Sequence, residues 1–203
     1  QAMTAEFGEL GRRALLAPLG LTSTYLQVPG SEVHRHAWGH DRQQRQVRVR
    51  PGAFDAEAYG LKSTASDMLR WLHMLVDPER MPPPLRQAMG CTLIPRYQAG
   101  ALQQGMGWEM VPFPGSLQAL LEGNGTRTVL EPLPVQAIAP NSPPSSGQSN
   151  PPTLLLNKTG STSGFSAYVM LVPHRKAALV MLANRNFPSS DRVAAAHQVM
   201  SLL

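Results

Sequence analysis

The triplet Lys158-Thr159-Gly160 combines three residue types that could act together on a substrate. It follows the apolar run Leu154-Leu155-Leu156, which predicts a buried strand that would place the ammonium of Lys158 over a cleft. Gly160 would let a substrate approach the backbone closely. Taken alone, the triplet is better explained by a solvated lysine before a flexible turn than by a lysine that acts on a substrate. The surrounding elements must decide between these two interpretations.

The C-terminal part of the chain predicts the sheet that would position this triplet. Phe165 to Val172 and Ala177 to Leu182 have the composition of strands, and the turn Pro173 to Lys176 joins them as an antiparallel hairpin. Ser189 or Ser190 is predicted to cap a final helix with one apolar face. Strands covered by a terminal helix are typical of an α+β sheet layer.

Helices and loops are predicted upstream of this sheet. The apolar periodicity predicts helices over residues 1–16, 64–76 and 85–91. Ser63 or Thr64 would cap the second of them, and Asp67 follows Thr64 at the spacing of a capping box.

The remaining stretches read as short strands and loops. An exposed ribbon is predicted near Val47 and Val49, and a glycine-rich strand over residues 105–109. Residues 140–152 are rich in Pro, Ser and Asn, and this composition predicts a flexible loop outside the core.

Composition excludes several classes of protein. The chain has 203 residues, of which 42% are hydrophobic and 15% charged, which is too apolar for a disordered chain and too little charged for a coiled coil. It contains no apolar run of about 18 residues, so no transmembrane helix is predicted. The net charge of +5 comes from scattered basic residues with few aromatic residues between them, and nucleic-acid binding is therefore not predicted.

Metal binding is not predicted either. Cys91 is the single cysteine, which excludes an internal disulfide and a zinc site built on cysteines. His34, His36 and His40 could place two imidazoles on one strand face, but no acidic or cysteine partner stands at ligand spacing.

Several stretches together resemble the class C serine β-lactamases, within the superfamily of active-site-serine β-lactamases and penicillin-binding proteins. They occur in the order and at the spacing of that family and cover essentially the whole chain outside residues 140–152. The stretches are 16–21 (LAPLGL), 51–60 (PGAFDAEAYG), 62–64 (KST) with Asp67-Met68, 104–109 (QGMGWE), 158–165 (KTGSTSGF), and 181–188 (MLANRNFP) with Arg192-Val193. The resemblance implies an α+β fold of the β-lactamase/transpeptidase type, an antiparallel sheet flanked by helices.

The resemblance assigns catalytic roles within the K-T-G stretch. Lys158 matches the lysine that supports the proton relay around the nucleophile and attracts the substrate carboxylate by its charge. Thr159 matches the hydroxyl that hydrogen-bonds this carboxylate, and Gly160 belongs to the same substrate-binding strand. Ser161 matches the position whose backbone N–H forms one arm of the oxyanion hole.

Three further residues are assigned to substrate binding by the same resemblance. Asn186 and Arg192 match residues that hold the carboxylate side of the bound β-lactam, and Tyr59 matches the aromatic residue beside the acyl side chain. Tyr59 could instead only anchor its loop, and Arg192 could be only a surface charge. Ser189 stands where an asparagine is expected, which puts one carboxylate contact in doubt, and Asn157 differs from the residue expected before the lysine.

The motif that supplies the nucleophile is absent from this sequence. The family uses a serine in an S-x-x-K motif and a tyrosine in a Y-x-N motif, and residues 1–203 contain neither, since Tyr25 precedes Leu-Gln and Tyr168 lies within a predicted strand. We therefore expect residues 1–203 to be the C-terminal part of a single catalytic domain, incomplete at its N-terminal side. Residues 1–120 would contribute part of the helical region and loops, and 154–203 the K-T-G strand, the hairpin and the terminal helix.

The resemblance predicts that the parent protein hydrolyses the β-lactam ring of penicillins and cephalosporins through an acyl-enzyme, and so confers antibiotic resistance. It implies a periplasmic protein, monomeric when complete, that acts on a small-molecule substrate and uses no metal or organic cofactor. The chain alone is expected to be inactive. A penicillin-binding peptidase or an esterase of the same fold remains an alternative, as does a non-catalytic truncated remnant.

Overall fold

An antiparallel sheet forms the centre of the fold in the computed structural model, which describes residues 2–139 and 153–202. Strands β1 (Gly39–His40) and β2 (Gln46–Val47) form a separate small ribbon. The sheet contains β3 (Tyr97–Ala99), β4 (Leu102–Gln104), β5 (Glu109–Pro112), β6 (Gln136–Ala137), β7 (Leu154–Thr162), β8 (Phe165–Val172) and β9 (Ala177–Ala183). Their spatial order in the described residues is β6-β3-β4-β5-β7-β8-β9, and each neighbouring pair is antiparallel.

Helices pack on both faces of this sheet, which confirms the predicted α+β class. In the described residues they are α1 (Ala2–Gly11), α2 (Asp55–Ala58), α3 (Ala65–Val76), α4 (Pro83–Thr92), α5 (Leu117–Gly123), α6 (Thr126–Leu130) and α7 (Ser189–Met200). A π-helical turn (Arg12–Leu16) continues α1, and short 3-10 helices span Gly30–Arg35, Pro78–Arg80 and Pro173–Arg175.

The core lies in two layers because strand side chains alternate between the faces. Leu155 and Met170 point to the face covered by α5 and α7, where they join Leu120 and Val193. Residues of the opposite parity on β7 and β8 point to the face covered by α3: Leu156, Val169 and Leu171. Full burial of one such side chain contributes about 1.5 to 3 kcal/mol, so both layers hold β7 and β8 firmly at the sheet centre.

Helix α3 begins where the sequence places it. Thr64 is its N-cap, and the Thr64 hydroxyl accepts a hydrogen bond from the Asp67 N–H at 3.2 Å. The Asp67 carboxylate does not complete a capping box. Instead it accepts from the Ser23 N–H at 2.8 Å and the Thr24 hydroxyl at 2.7 Å, which ties the upstream loop to the helix.

The predicted serine cap of the last helix is wrong. Pro188 precedes α7 in an extended conformation and makes no side-chain cap, so Ser189 and Ser190 lie in the first helical turn. The Ser190 hydroxyl donates to Asp191 rather than accepting from the backbone. The helix therefore starts one or two residues earlier than a cap at Ser189 or Ser190 would give, and the fixed φ of proline is compatible with this position at a helix start.

Other boundaries also differ from the prediction. The apolar run predicts a strand from Leu154 to Lys158, yet β7 runs on to Thr162. Most of the predicted 105–109 strand is a turn, in which Gly107 has a positive φ of 83°, and β5 starts only at Glu109. The ribbon pairs through Val47 and does not include Val49.

The two upstream helices and the Pro- and Ser-rich loop of the prediction have different outcomes, and the first helix forms without a buried apolar face among its described side chains. Residues 2–16 are helical, but three of the side chains that give this stretch its apolar periodicity, Phe7, Leu10 and Leu15, are exposed in the described structure. The short helix predicted over 85–91 is confirmed as α4. The loop predicted over 140–152 lies outside the described residues.

Candidate active site

The K-T-G triplet lies where β7 changes from a central strand to an edge strand. Pairing with β5 stops at Glu109 opposite Asn157, while pairing with β8 continues to Thr162 opposite Phe165. From Lys158 onward, β7 therefore has a strand on one side only within the described residues. Gly160 and Ser161 are exposed there.

The backbone of this edge presents hydrogen-bonding groups to the open side. The Phe113 N–H donates to the Thr153 carbonyl at 2.6 Å, which shows that odd-numbered residues of β7 direct their backbone groups towards β5. The registers with β5 and β8 are continuous, so this alternation carries through to Thr159 and Ser161. Both residues consequently present their N–H and C=O groups on the open edge, as an oxyanion-hole donor at Ser161 requires.

Lys158 is joined to a carboxylate across the sheet. Its Nζ donates to Glu109 Oε1 at 2.7 Å, and the lysine side chain is 44% exposed whereas that of Glu109 is 11% exposed. The other carboxylate oxygen, Oε2, is buried without a hydrogen-bond partner in the described structure. The ion pair fixes the position of the ammonium at the strand edge, where its exposed side can still meet a ligand.

A buried amide network lies behind this ion pair. Asn157 is fully buried; its Oδ1 accepts from Asn124 Nδ2 at 2.8 Å and from the Tyr168 hydroxyl at 3.2 Å, and its Nδ2 donates to the Glu109 carbonyl at 3.0 Å. Burial raises the pKa of Tyr168 above its usual range, and the nearby Glu109 charge raises it further. Sequence reasoning missed this network, although an asparagine directly after three leucines was its visible signal.

Arg192 is buried beneath the K-T-G strand. The residue is 2% exposed, and its Nη1 donates to the carbonyls of Gly160, at 2.9 Å, and Ala167. Its Nη2 donates to the Ser161 hydroxyl at 3.0 Å, and its Nε lies 3.5 Å from the Pro188 carbonyl. Burial lowers the pKa of Arg192. The alternative that Arg192 is only a surface charge is therefore wrong, while its contact with a substrate carboxylate stays a prediction.

Asn186 holds the turn that follows the triplet. Its Nδ2 donates to the Thr162 carbonyl at 3.1 Å, and its Oδ1 accepts from the Gly164 N–H at 3.2 Å. The β1 ribbon closes over the same turn, since the His40 N–H donates to the Gly164 carbonyl at 3.2 Å. Neither Gly39 nor Gly164 has room for a Cβ at this contact. The carboxylate contact implied for Asn186 stays a prediction.

Tyr59 lies on a separate loop, directly after α2. Its side chain is exposed, and its hydroxyl lies over Gly52, where an added Cβ would come within 2.6 Å of it. Phe54, which precedes α2, has a positive φ of 57° and is 74% exposed. The structure thus brings Lys158, Thr159, Gly160, Ser161, Asn186 and Arg192 together, while Tyr59 belongs to another segment.

The predicted strand placement of the histidines is wrong. His34 lies in the 3-10 helix and His36 directly after it, so the two imidazoles do not share a strand face. Burial lowers the pKa of His36, and the charges of Arg48 and Lys62 lower it further. The part of the chain that the structure describes contains no group of three or more His, Cys, Asp or Glu residues able to hold a metal ion. It also contains no helix long and apolar enough to cross a membrane.

An antiparallel sheet with helices on both faces and a K-T-G strand at an open edge fits the fold and one motif of the active-site-serine β-lactamase and penicillin-binding protein class. A family model described as Beta-lactamase matches residues 2–203. The chain belongs to the β-lactamase family.

Individual relatives and solved structures with similar sequences include other β-lactamases. The β-lactamase of Pseudomonas fluorescens is 40% identical over 203 residues, which are 100% of this chain and 55% of the relative. The β-lactamase of Lysobacter lactamgenus is 38% identical over 200 residues, covering 98% of this chain and 50% of the relative. The chain therefore spans about half the length of the curated relatives it matches.

Among solved structures, a class C β-lactamase from Rhodobacter sphaeroides matches with a TM-score of 0.88 and 35% identity, covering 96% of this chain and 53% of that one. The D-alanine carboxypeptidase AmpC from Burkholderia cenocepacia matches with a TM-score of 0.88 and 35% identity, covering 97% of this chain and 55% of that one. These neighbours confirm the β-lactamase/transpeptidase-like fold.

Proposed function

We propose that this chain supplies the K-T-G wall of a class C serine β-lactamase that hydrolyses penicillins and cephalosporins through an acyl-enzyme. The observation that carries this proposal is the open edge of β7, where the backbone of Ser161 faces the unpaired side and the half-exposed ammonium of Lys158 lies beside Glu109, at which the pairing with β5 ends. The proposal needs a nucleophilic serine from elsewhere in the complete enzyme, because residues 1–203 contain no S-x-x-K motif.

In the proposed reaction the serine hydroxyl gives its proton to the relay that Lys158 supports while its oxygen attacks the lactam carbonyl carbon, and negative charge develops on the carbonyl oxygen. The Ser161 N–H donates a hydrogen bond to that oxygen and stabilises the tetrahedral intermediate. The C–N bond then breaks, the ring nitrogen takes a proton from the relay that Lys158 supports, and the serine is left as an ester. Water hydrolyses the ester and releases the opened product.

The substrate carboxylate is proposed to lie along the K-T-G strand. Lys158 attracts it by charge, the Thr159 hydroxyl donates a hydrogen bond to it, and Gly160 leaves room beside the strand. Tyr59 is proposed to flank the acyl side chain from its own loop. The reaction as written needs no metal or organic cofactor, and we propose that the complete protein is a periplasmic monomer that confers β-lactam resistance.

A second candidate is removal of D-alanine from peptides. It is favoured by one observation: solved structures from Burkholderia cenocepacia and Pseudomonas syringae that match this chain carry the name D-alanine carboxypeptidase. The same acyl transfer chemistry would serve both reactions, with a peptide bond replacing the lactam.

A hybrid enzyme tests the proposal. The 203-residue chain is joined to the part of the Pseudomonas fluorescens β-lactamase that it does not cover, and hydrolysis of a chromogenic cephalosporin is measured. We expect turnover by the hybrid and none by the chain alone, since losing the nucleophile of a serine hydrolase costs on the order of 10⁶ in rate. Lys158→Ala in the hybrid should lower kcat by about 10² to 10⁴ through loss of proton-transfer support.

The controls separate the candidates. Release of D-alanine from a D-Ala-D-Ala peptide, without cephalosporin turnover, would favour the second candidate. A folded hybrid that is inactive on both substrates would contradict the proposal, and so would steady turnover by the chain alone with a serine adduct visible by mass spectrometry.

A further inference from the structure

Arg192 is a buried cation whose partners in the described structure are neutral oxygens. Its guanidinium is bonded to the carbonyls of Gly160 and Ala167 and to the Ser161 hydroxyl, and no described carboxylate forms an ion pair with it. Burying a guanidinium costs free energy unless its donors are satisfied. Because these bonds satisfy it within the fold, Arg192 is accounted for without a substrate.

The hydrogen bonds of Arg192 reach the part of β7 that has one neighbouring strand in the described residues. Gly160 and Ala167 face each other in the register of β7 and β8, so the guanidinium fastens one strand to the other. This position lies beyond Asn157, where β7 has lost β5 as a second neighbour. Arg192 therefore gives β7 a support from α7 in the part where β8 is its one strand neighbour among the described residues.

The contact with Ser161 links this support to the proposed chemistry. The Ser161 side chain points towards α7 and is held by Arg192 Nη2 at 3.0 Å, while the Ser161 N–H points along the sheet to the open edge. Fixing the hydroxyl below the strand and the Gly160 carbonyl beside it leaves the Gly160–Ser161 peptide little freedom to rotate. Oxyanion donors need such fixed placement, since an error of about 1 Å can cost about 10² in rate.

We propose that Arg192 is a positioning residue, which holds the Gly160–Ser161 backbone from behind so that the Ser161 N–H stays directed at the open edge, and that it does not itself bind the substrate. This inference rests on the proposed function. It differs from the role that the resemblance implies, in which Arg192 contacts the substrate carboxylate.

The two roles of Arg192 predict different kinetics in the hybrid enzyme. Arg192→Lys keeps the charge but cannot reach all the acceptors, and we expect it to lower kcat about 10- to 100-fold by misplacing the oxyanion donor. The loss should be equal for a cephalosporin with a free carboxylate and for its methyl ester. Ser161→Ala retains the N–H and loses only the hydroxyl anchor, so a smaller loss in kcat is expected, again equal for both substrates.

Arg185→Met is the matched control for the kinetic test. Arg185 is an exposed arginine on the loop after β9, and its side chain makes no hydrogen bond in the described structure. The control should leave kcat and KM unchanged. A loss for Arg192→Lys that is confined to the carboxylate substrate and falls on KM would overturn the positioning role. An inactive parent hybrid would instead count against the proposed function.

Hydrogen exchange tests the structural half of the inference in the 203-residue chain without any activity. We expect Arg192→Lys to accelerate exchange about tenfold in peptides covering residues 158–168, with peptides of α3 unchanged. Arg185→Met should change neither region. Unchanged exchange in 158–168 for Arg192→Lys would refute the inference whatever the hybrid does.

Discussion

Replacing Asn157 by alanine should destabilise the chain strongly, because three groups meet at its side chain. The substitution removes the acceptor of the Tyr168 hydroxyl and a donor to the Glu109 carbonyl, both of which are buried. Asn124 loses one bond but keeps its contact with the Leu120 carbonyl. The Glu109 carbonyl keeps the ladder bond from the Asn157 N–H, so the Tyr168 hydroxyl is the group left without a partner, and we expect a loss of about 1 to 3 kcal/mol.

Urea unfolding of the 203-residue chain measures this loss as a lower midpoint with an unchanged slope. Asn184→Ala is the matched control, since Asn184 is exposed and donates only to the Trp38 carbonyl, at 3.0 Å. It should cost less than about 1 kcal/mol. If Asn157→Ala were no more costly than Asn184→Ala, the network would not carry the energy argued for it.

Two further predictions concern single groups. Burial raises the pKa of Tyr168 above its unfolded value, so its contribution to stability is complete below about pH 10 and is lost as pH rises above that. Unfolding free energy measured between pH 9 and about 12 should therefore fall more steeply for the native chain than for Tyr168→Phe, and equal slopes would contradict the assignment. Thr64→Ala should lower stability by about 1 kcal/mol through loss of the α3 cap, whereas Thr64→Ser should retain most of it; equal losses from both would show that the hydroxyl is not the cap.

The sheet and its main helices were predictable because they repeat a simple pattern. The hairpin of β8 and β9 follows from two apolar runs around a proline-containing turn, and α3 follows from its apolar period and threonine cap. Strand ends were less predictable. A register is fixed by pairing with another strand, and the continuation of β7 to Thr162 depends on Phe165 lying opposite it.

The site residues were predictable as motifs and not as contacts. Glu109 lies 49 positions before Lys158 in the sequence, and only the pairing of β5 with β7 brings them together. Arg192 occupies the first turn of a helix, where a surface position is the ordinary expectation. It is buried because α7 packs against the sheet and its guanidinium bonds to Gly160 and Ala167, far away in the sequence, so no local pattern encodes the contact.

Strand β7 is held less firmly after Asn157 than before it, because it has two neighbouring strands before that residue and one after it among the described residues. Between Lys158 and Thr162, over a length of roughly 17 Å, the strand pairs with β8 on one side and has no strand on its other side within the described residues. The hydrogen bonds that Arg192 donates to the Gly160 carbonyl and Asn186 to the Thr162 carbonyl oppose displacement of this part of the strand. Substitutions up to Asn157 should therefore disturb packing, whereas substitutions from Lys158 to Thr162 should disturb the alignment of the strand.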